Sequence, residues 1–221
     1  MVVKILCAVF AVVALAVAAP ASASIITFNT ESAYLAAIGA PGVDTFDDLS
    51  VVSISSPLNR TAGAYNYTTS APGDFFPAAS GTDVWLATTV PTDPIAFTNF
   101  SAGVVGVGGF FFGSDILGAF LPDQTITVSA TDADGTVSLD LVNPTTTTFL
   151  GFVTDNAFTS VTVLAVQPGN DTPAWPTVNN LTVGVAPTTG PTPVPEPVSL
   201  LLLATGLVGA RAKRQTKAAR A

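Results

Sequence analysis

The 221-residue chain has a formal net charge of −8, no histidine and a single cysteine, Cys7, near its N-terminus. Without histidine, the commonest general base and the commonest zinc ligand are missing, and the chain beyond Cys7 has no thiol for a disulfide or a cysteine nucleophile. Residues 24–195 contain 14 acidic residues and one basic residue, Arg60, a net charge of −13 that excludes nucleic-acid binding, because neutralising phosphate requires lysine or arginine.

The first 23 residues have the pattern of a secretory signal peptide. Lys4 provides the positive start, residues 5–19 form an apolar run, and Ala21 and Ala23 occupy the small-residue positions of a cleavage site. We therefore expect export and cleavage after Ala23.

Residues 24–185 have the composition of a β domain. A short apolar strand at 25–28 precedes one short helix, which Asn29 or Thr30 caps and which ends at Gly39. An irregular region rich in glycine and proline follows at 55–82, with one short strand near 64–68. This is the one helix that we expect in residues 24–185.

Regular strand signals begin at Asp83. In 125–131, Ile126, Val128 and Ala130 alternate with threonine and serine, which predicts a half-buried strand. Repeated short strands separated by turn signals predict a sandwich or a barrel. The further strand segments are 83–88, 94–100, 104–112, 136–141, 147–153, 158–166 and 178–185.

The C-terminal part has three segments. Residues 186–194 form a linker of proline and threonine, which is extended and semi-rigid. Pro195-Glu196-Pro197 then precedes the apolar stretch 198–210, and the basic residues Arg211, Lys213 and Arg214 follow it. A helix over these 13 apolar residues would be about 20 Å long, short of the roughly 30 Å hydrocarbon core, and the basic residues place its end in the cytoplasm.

This tail resembles the PEP-CTERM sorting signal of Gram-negative bacteria. The resemblance implies that exosortase, a membrane cysteine protease, processes the chain at or near Pro195-Glu196-Pro197 and sends it to the cell surface or the extracellular matrix, alongside exopolysaccharide. The alternative is a plain short membrane anchor. Stretches of the body, including "GVVGVGGFFFGSD" and "VNNLTVG", are similar to a recurrent PEP-CTERM ectodomain, in which aspartate commonly stands where this chain has Asn179.

The fold that we expect is an all-β, jelly-roll-like antiparallel β-sandwich of residues 24–185 with one short N-terminal helix. A signal peptide (1–23), a linker (186–194) and a sorting signal with a short hydrophobic helix (195–221) complete the chain. The helix would hold the chain in the inner membrane before processing.

Two acidic groups are candidate calcium ligands. Asp132 and Asp134 lie in an Asp-Ala-Asp-Gly turn with alternating carboxylates, although Asp-Gly between two strands is also a strong hairpin signal. Asp47 and Asp48 lie in a loop from which jelly-roll modules often hold a structural calcium, with Asn179 of the last strand as a further oxygen ligand.

Trp175 is the best candidate for a ligand contact. It lies among prolines, which predicts an exposed loop, and an exposed tryptophan could stack on a sugar ring. Packing in the core is the alternative for Trp175 and for Tyr65, Tyr67, Phe75, Phe76 and Trp85.

No convincing catalytic site is present in the sequence. A glycosidase requires paired carboxylates and a serine hydrolase requires a base, whereas the one glutamate of the domain, Glu31, is explained by its place at the start of the helix. We therefore expect a non-enzymatic exported surface or matrix protein with no catalytic cofactor. The alternatives are an exopolysaccharide-binding module, with or without structural calcium, and an extracellular hydrolase.

Overall fold

The computed structural model of the chain describes residues 25–169 and 172–188. Contacts divide the chain after Pro187 into two compact units, and the β domain belongs to the first of them. The expected signal peptide with Ala21 and Ala23, the sorting motif Pro195-Glu196-Pro197 and the basic residues Arg211, Lys213 and Arg214 all lie outside the described residues.

The described residues form two antiparallel sheets and one helix, as the composition predicts. The first sheet has seven strands: β1 (Ile26–Phe28), β2 (Gly39–Asp44), β5 (Ala78–Ser80), β6 (Asp83–Ala87), β8 (Val104–Ser114), β11 (Phe149–Val153) and β13 (Trp175–Val185). Their order is β1-β11-β8-β13-β6-β5, with β2 also paired to β13. The long strands β8 and β13 form its centre.

The second sheet has six strands in the order β10-β9-β12-β7-β4-β3. These are β3 (Leu58–Ala62), β4 (Tyr65–Ser70), β7 (Ile95–Thr98), β9 (Thr125–Thr131), β10 (Thr136–Val142) and β12 (Ser160–Val166). Alternation of side chains along its strands sends one set inward and exposes the other. In β9 the inward residues are Ile126, Val128 and Ala130, all fully buried, as the sequence predicts.

The main hydrophobic core lies between the two sheets. Phe111, Phe152 and Leu181 come from the first sheet, and Phe97 and Val163 from the second, and all of them belong to one buried cluster. This shared cluster makes the domain a β-sandwich. Burial of such side chains contributes about 1.5–3 kcal/mol each and is the main force that holds the sheets together.

The helix α1 (Glu31–Ala37) packs on the first sheet through a separate small cluster. Thr30 caps it, as one of the two predicted alternatives, and its hydroxyl accepts a hydrogen bond from the Ala33 amide at 3.4 Å. Tyr34 and Ile38 are buried against Phe149, and the Tyr34 hydroxyl donates to the Thr182 carbonyl at 2.9 Å. A helix of seven residues is marginal alone, so this packing stabilises it.

Several strand ends differ from the prediction by one or two residues, and three differences are larger. The helix ends before Gly39, which instead begins β2. The irregular region contains two further short strands, β3 and β5, and β13 begins three residues earlier than predicted, at Trp175. The edge strands β3 and β5 are extended because they pair with β4 and β6, respectively. Local sequence does not reveal such pairing.

Candidate functional site

A cavity of about 240 Å³ opens at the Trp175 end of β13. We call it the Trp175 cavity. Apolar side chains dominate its lining, with Phe76 from the segment before β5 and Trp175 among them, and polar groups come from Thr88, Thr89, Ser114 and Asp115. An apolar wall with a few polar groups is the usual composition of a small-ligand site.

The loop 115–119 forms one wall of this cavity. Asp115 Oδ1 accepts hydrogen bonds from the amides of Leu117 (2.8 Å) and Ala119 (2.9 Å), an arrangement that closes the loop on its own first residue. The Gly118 carbonyl then accepts from Trp85 Nε1 at 3.2 Å, which fixes the loop to β6. Ile116 and Leu117 are left 76% and 87% exposed at the tip.

The prediction of an exposed loop position for Trp175 is wrong. Trp175 is the first residue of β13, pairs with Ser114 of β8 and is only 8% exposed. Its two neighbouring prolines suggested a loop, but Pro176 lies within the strand opposite Gly113. Trp175 nevertheless lines the cavity.

The aromatic residues considered with Trp175 do not share one exposed face. Tyr67 and Phe75 are buried in the main core, and Trp85 packs edge-to-face on Phe112 at 5.4 Å. Phe76 is the one that lines the same cavity as Trp175, and it is 43% exposed. In the sequence Phe76 directly follows Phe75, and no local pattern tells the exposed phenylalanine from the buried one.

The Asp132–Asp134 turn has protein donors on its carboxylates. Asp132 Oδ1 accepts from the amides of Asp134 (2.8 Å) and Gly135 (3.1 Å), and Oδ2 accepts from the Thr154 hydroxyl at 2.6 Å. The Thr154 bond is the main cause that lowers the pKa of Asp132 below its ordinary value. Asp134 Oδ2 accepts from Asn156 Nδ2 at 2.7 Å, so this turn ties the β9–β10 hairpin to the loop after β11.

Asp47 and Asp48 are separated by their partners. Asp48 pairs with Arg60 through two hydrogen bonds, at 2.6 and 2.8 Å. These bonds are the main reason why the pKa of Asp48 lies below its ordinary value. Asp47 has a different partner: its Oδ1 accepts a hydrogen bond from the Val84 amide at 3.0 Å.

Arg60 also binds the buried carboxylate of Asp44, which sequence reasoning did not single out. Arg60 Nε and Nη2 contact the two oxygens of Asp44 at 2.9 and 2.6 Å, and the Tyr67 hydroxyl donates to Asp44 at 2.6 Å. The guanidinium also lies 5.5 Å from the centre of the Phe46 ring. Arg60 and Asp44 therefore form a bidentate ion pair of the kind that stabilises a fold.

Asn179 contacts Asp83, another residue that the sequence did not indicate. Its Nδ2 lies 3.0 and 3.2 Å from the two carboxylate oxygens of Asp83. Asn179 is 6% exposed, and its Oδ1 is buried with no hydrogen-bond partner. Asp47 accepts its hydrogen bond from Val84, the residue after Asp83.

Two further observations concern the described residues as a set. Within 25–169 and 172–188 there is no group of three or more acidic, histidine or cysteine side chains placed to hold a metal ion. Across that same part of the chain, no helix combines the length and apolarity needed to cross a membrane.

The chain matches no protein-family model, no curated protein and no solved structure.

Proposed function

We propose that the chain is a non-enzymatic exported protein of the cell surface or extracellular matrix that exosortase processes at Pro195-Glu196-Pro197. The observation that carries the proposal is the tripartite tail, a Pro-Glu-Pro followed by 13 apolar residues and a basic cluster, in a chain that begins with a leader pattern. The acidic domain is consistent with export, because its high net charge favours solubility outside the cell.

The state of the domain's carboxylates supports a non-catalytic role. Asp44, Asp48, Asp115 and Asp132 each accept hydrogen bonds that fix a loop or an ion pair. The pKa values of Asp48 and Asp132 are lowered, whereas a catalytic general acid needs a raised pKa.

The strand order supports a jelly roll within this proposal. Strands β6, β13, β8 and β11 are neighbours in the first sheet, and β7, β12, β9 and β10 are neighbours in the second. Eight consecutive strands divided between two sheets in this way correspond to the two interlocked Greek keys of a jelly roll.

The test of sorting is a set of alanine variants in a bacterium that carries exosortase. Replacement of Pro195, Glu196 and Pro197 together should leave the chain as a membrane-held precursor, because the processing enzyme has lost its recognition sequence. The matched control replaces Pro187, Pro191 and Pro193 of the linker and should be released like the wild type. Equal release of both variants would refute processing at the motif.

A second candidate function is binding of a glycan in the Trp175 cavity. The favouring observation is that Phe76 and Trp175 line one cavity beside the carboxylate of Asp115, and aromatic surface next to polar groups suits a sugar ring. The net charge of −13 for residues 24–195 favours a glycan without acidic groups.

The position of this cavity along β13 fits a binding role. Trp175 begins the strand and Val185 ends it, so its 11 residues separate the cavity from the exit of the domain by about 30 Å. A ligand in the cavity is therefore well clear of the point where the chain leaves the β-sandwich.

Calorimetric titration of the mature protein tests this second function. Neutral cello-oligosaccharides should bind and acidic alginate oligomers should not. Phe76→Ala should weaken binding about tenfold, equivalent to about 1.4 kcal/mol. Leu164→Ala, a similarly exposed apolar residue on the second sheet, is the control and should bind normally. Absence of heat with every glycan, or an equal loss in both variants, would contradict the proposal.

A further inference from the structure

Strand β10 leaves one edge of the second sheet open. It is the terminal strand of that sheet, and its one strand partner within 25–169 and 172–188 is β9, to which it pairs without a bulge. A strand at an edge presents unpaired N–H and C=O groups, which are a template for a further strand. The outer side of β10 is therefore a place where another extended chain can join the domain.

The other edge strands of the domain are short or interrupted. In the first sheet, β1 and β5 have three residues each, and β2 contains Pro41. In the second sheet, β3 has five residues, follows Pro57 directly and carries Arg60 with its ion pairs. Short strands, prolines and charges are the usual protection against edge-to-edge pairing. By contrast, β10 has seven residues with no proline, and Asp140 is its one charged side chain.

The hairpin shows which residues of β10 direct their backbone groups outward. In an antiparallel pair, hydrogen-bonded and non-hydrogen-bonded residue pairs alternate. The Asp132 amide donates to the Gly135 carbonyl at one end of the hairpin, and the Asn143 amide donates to the Gln124 carbonyl at the other. Both ends give the same alternation, in which the odd-numbered residues of β10 bond to β9. The residues with outward N–H and C=O groups are therefore the even-numbered ones: Thr136, Ser138, Asp140 and Val142.

The sequence of β10 is complementary to itself when two copies run antiparallel about Leu139. In that register Val137 lies opposite Leu141 of the second copy, and Leu139 lies opposite its own counterpart, so apolar side chains meet on the inner face. Leu139 is 36% exposed in the single domain, and this pairing would cover it. On the outer face Ser138 lies opposite Asp140, so no carboxylate faces another one directly.

Other registers of the same pair are less favourable. Even-numbered residues have to pair with even-numbered ones, because those carry the outward backbone groups. Pairing about Asp140 would place two carboxylates opposite each other, which destabilises a sheet. Pairing about Ser138 would leave Val142, which is 69% exposed, without a partner. The register about Leu139 is therefore the one that uses the whole strand.

We propose that β10 is an interaction surface for a second copy of this chain, with β10 paired to β10 so that the two second sheets become one. Such a two-fold contact uses the same residues on both copies and closes at the dimer. The strand has one charged residue, whereas residues 24–195 have a net charge of −13, so this edge lets two acidic domains meet with little direct repulsion. The edge belongs to the second sheet, so the pairing is independent of sorting and of the Trp175 cavity.

Disulfide trapping in the full chain tests both the pairing and its register. Cys7, the single native cysteine, is first replaced by serine. Leu139→Cys should then form a disulfide-linked dimer under mild oxidation, because directly opposite, non-hydrogen-bonded residues have Cα atoms about 4.5 Å apart, within the range of a disulfide. Ser138→Cys is the control at the adjacent residue. It would lie diagonally, about 8 Å from its counterpart, and should stay monomeric.

Two further variants test whether the backbone makes the contact. In the L139C chain, Ser138→Pro removes an outward N–H from each copy and leaves the ladder to β9 in place, so the disulfide-linked fraction should fall about tenfold. Ser138→Ala loses the same hydroxyl contact with Ser129 and should cross-link like L139C. Equal cross-linking of the proline and alanine variants would contradict pairing through the backbone.

The comparison of L139C with S138C decides the proposal without either of those variants. Equal cross-linking of L139C and S138C would indicate random collision, and the absence of a dimer with L139C would show that β10 does not pair with itself. A disulfide from L139C to a different protein would assign the edge to another partner. Each of these three results would overturn the proposal.

Discussion

Arg60 is the side chain on which the described part of the domain depends most for its electrostatic balance. It is the one basic residue of 25–169 and 172–188, and it binds the 4%-exposed Asp44 and the exposed Asp48 at once. A buried carboxylate that loses its only cationic partner is left uncompensated, which is far more costly than the loss of a surface pair.

We expect Arg60→Met to lower the free energy of unfolding by about 3 kcal/mol, because Asp44 would keep only its hydrogen bonds from Tyr67 and Phe46. Asp48→Asn is the matched control and should cost less than about 1 kcal/mol, since that side chain is 67% exposed. Urea unfolding of both variants measures the difference. Equal losses would show that the buried pair with Asp44 is not what Arg60 stabilises.

The free energy of unfolding should fall at acidic pH below about 4 and at alkaline pH above about 10, and change little between those values. The pKa values of Asp48 and Asp132 are lowered in the folded chain by hydrogen bonds from Arg60 and Thr154. Their contribution is therefore present above the unfolded pKa of about 3.9 and is lost as pH falls through the lower folded values. Burial raises the pKa values of Tyr34 and Tyr67, so their contribution is lost as pH rises above about 10.

Measurement of the free energy of unfolding from pH 2 to pH 11 tests both predicted losses, the acid limb of the profile at low pH and the alkaline limb at high pH. Asp132→Asn should make the acid limb shallower, and Tyr34→Phe should do the same to the alkaline limb, each without affecting the other. A profile that stays flat up to pH 11 would contradict the assignment of the buried tyrosines.

At the level of elements, glycines in three strands provide the surface on which α1 rests. A Cβ at Gly106 would lie 2.4 Å from Ile38 Cγ2, one at Gly151 would lie 2.6 Å from Tyr34 Cδ2, and one at Gly184 would lie 2.6 Å from Ile38 Cδ1. The glycine-rich sequence of β8 is thus explained in part by the close approach of the helix.

We expect Gly151→Ala to destabilise the domain by about 1–3 kcal/mol, because the buried ring of Tyr34 has to move away from the added methyl group. Gly109→Ala is the control, since its Cβ would meet its nearest neighbours at an ordinary 3.4 Å. Thermal unfolding of the two variants should separate them by several degrees. A control as unstable as G151A would mean that the helix contact is not the cause.

Strands with a clear period of two were predictable, and those defined by their partners were not. The alternation in β9 identified its buried residues directly, whereas β3 and β5 lie among prolines and glycines and become strands through pairing with β4 and β6. At the site, the ligand contact of Trp175 stays a prediction, and its loop position was wrong because neighbouring prolines suggest a loop. The contact of Asn179 with Asp83 joins residues 96 positions apart, which no local pattern reports.

At the scale of the whole molecule, the two ends of the domain lie together and the Trp175 cavity lies apart from them. Ile26 near the start and Pro187 at the end line one cavity of about 420 Å³. Trp175 is at the other end of β13 from Val185. The described residues of the domain therefore begin and end on the side remote from the Trp175 cavity.

The intact mass of the protein released by a bacterium that carries exosortase tests the central proposal most directly. We predict a chain that begins at Ser24 and ends at or near Pro195-Glu196-Pro197, without the apolar segment and the basic residues that follow. A released protein whose mass extends through Ala221 would contradict the proposal that this tail is a sorting signal removed on the way to the cell surface.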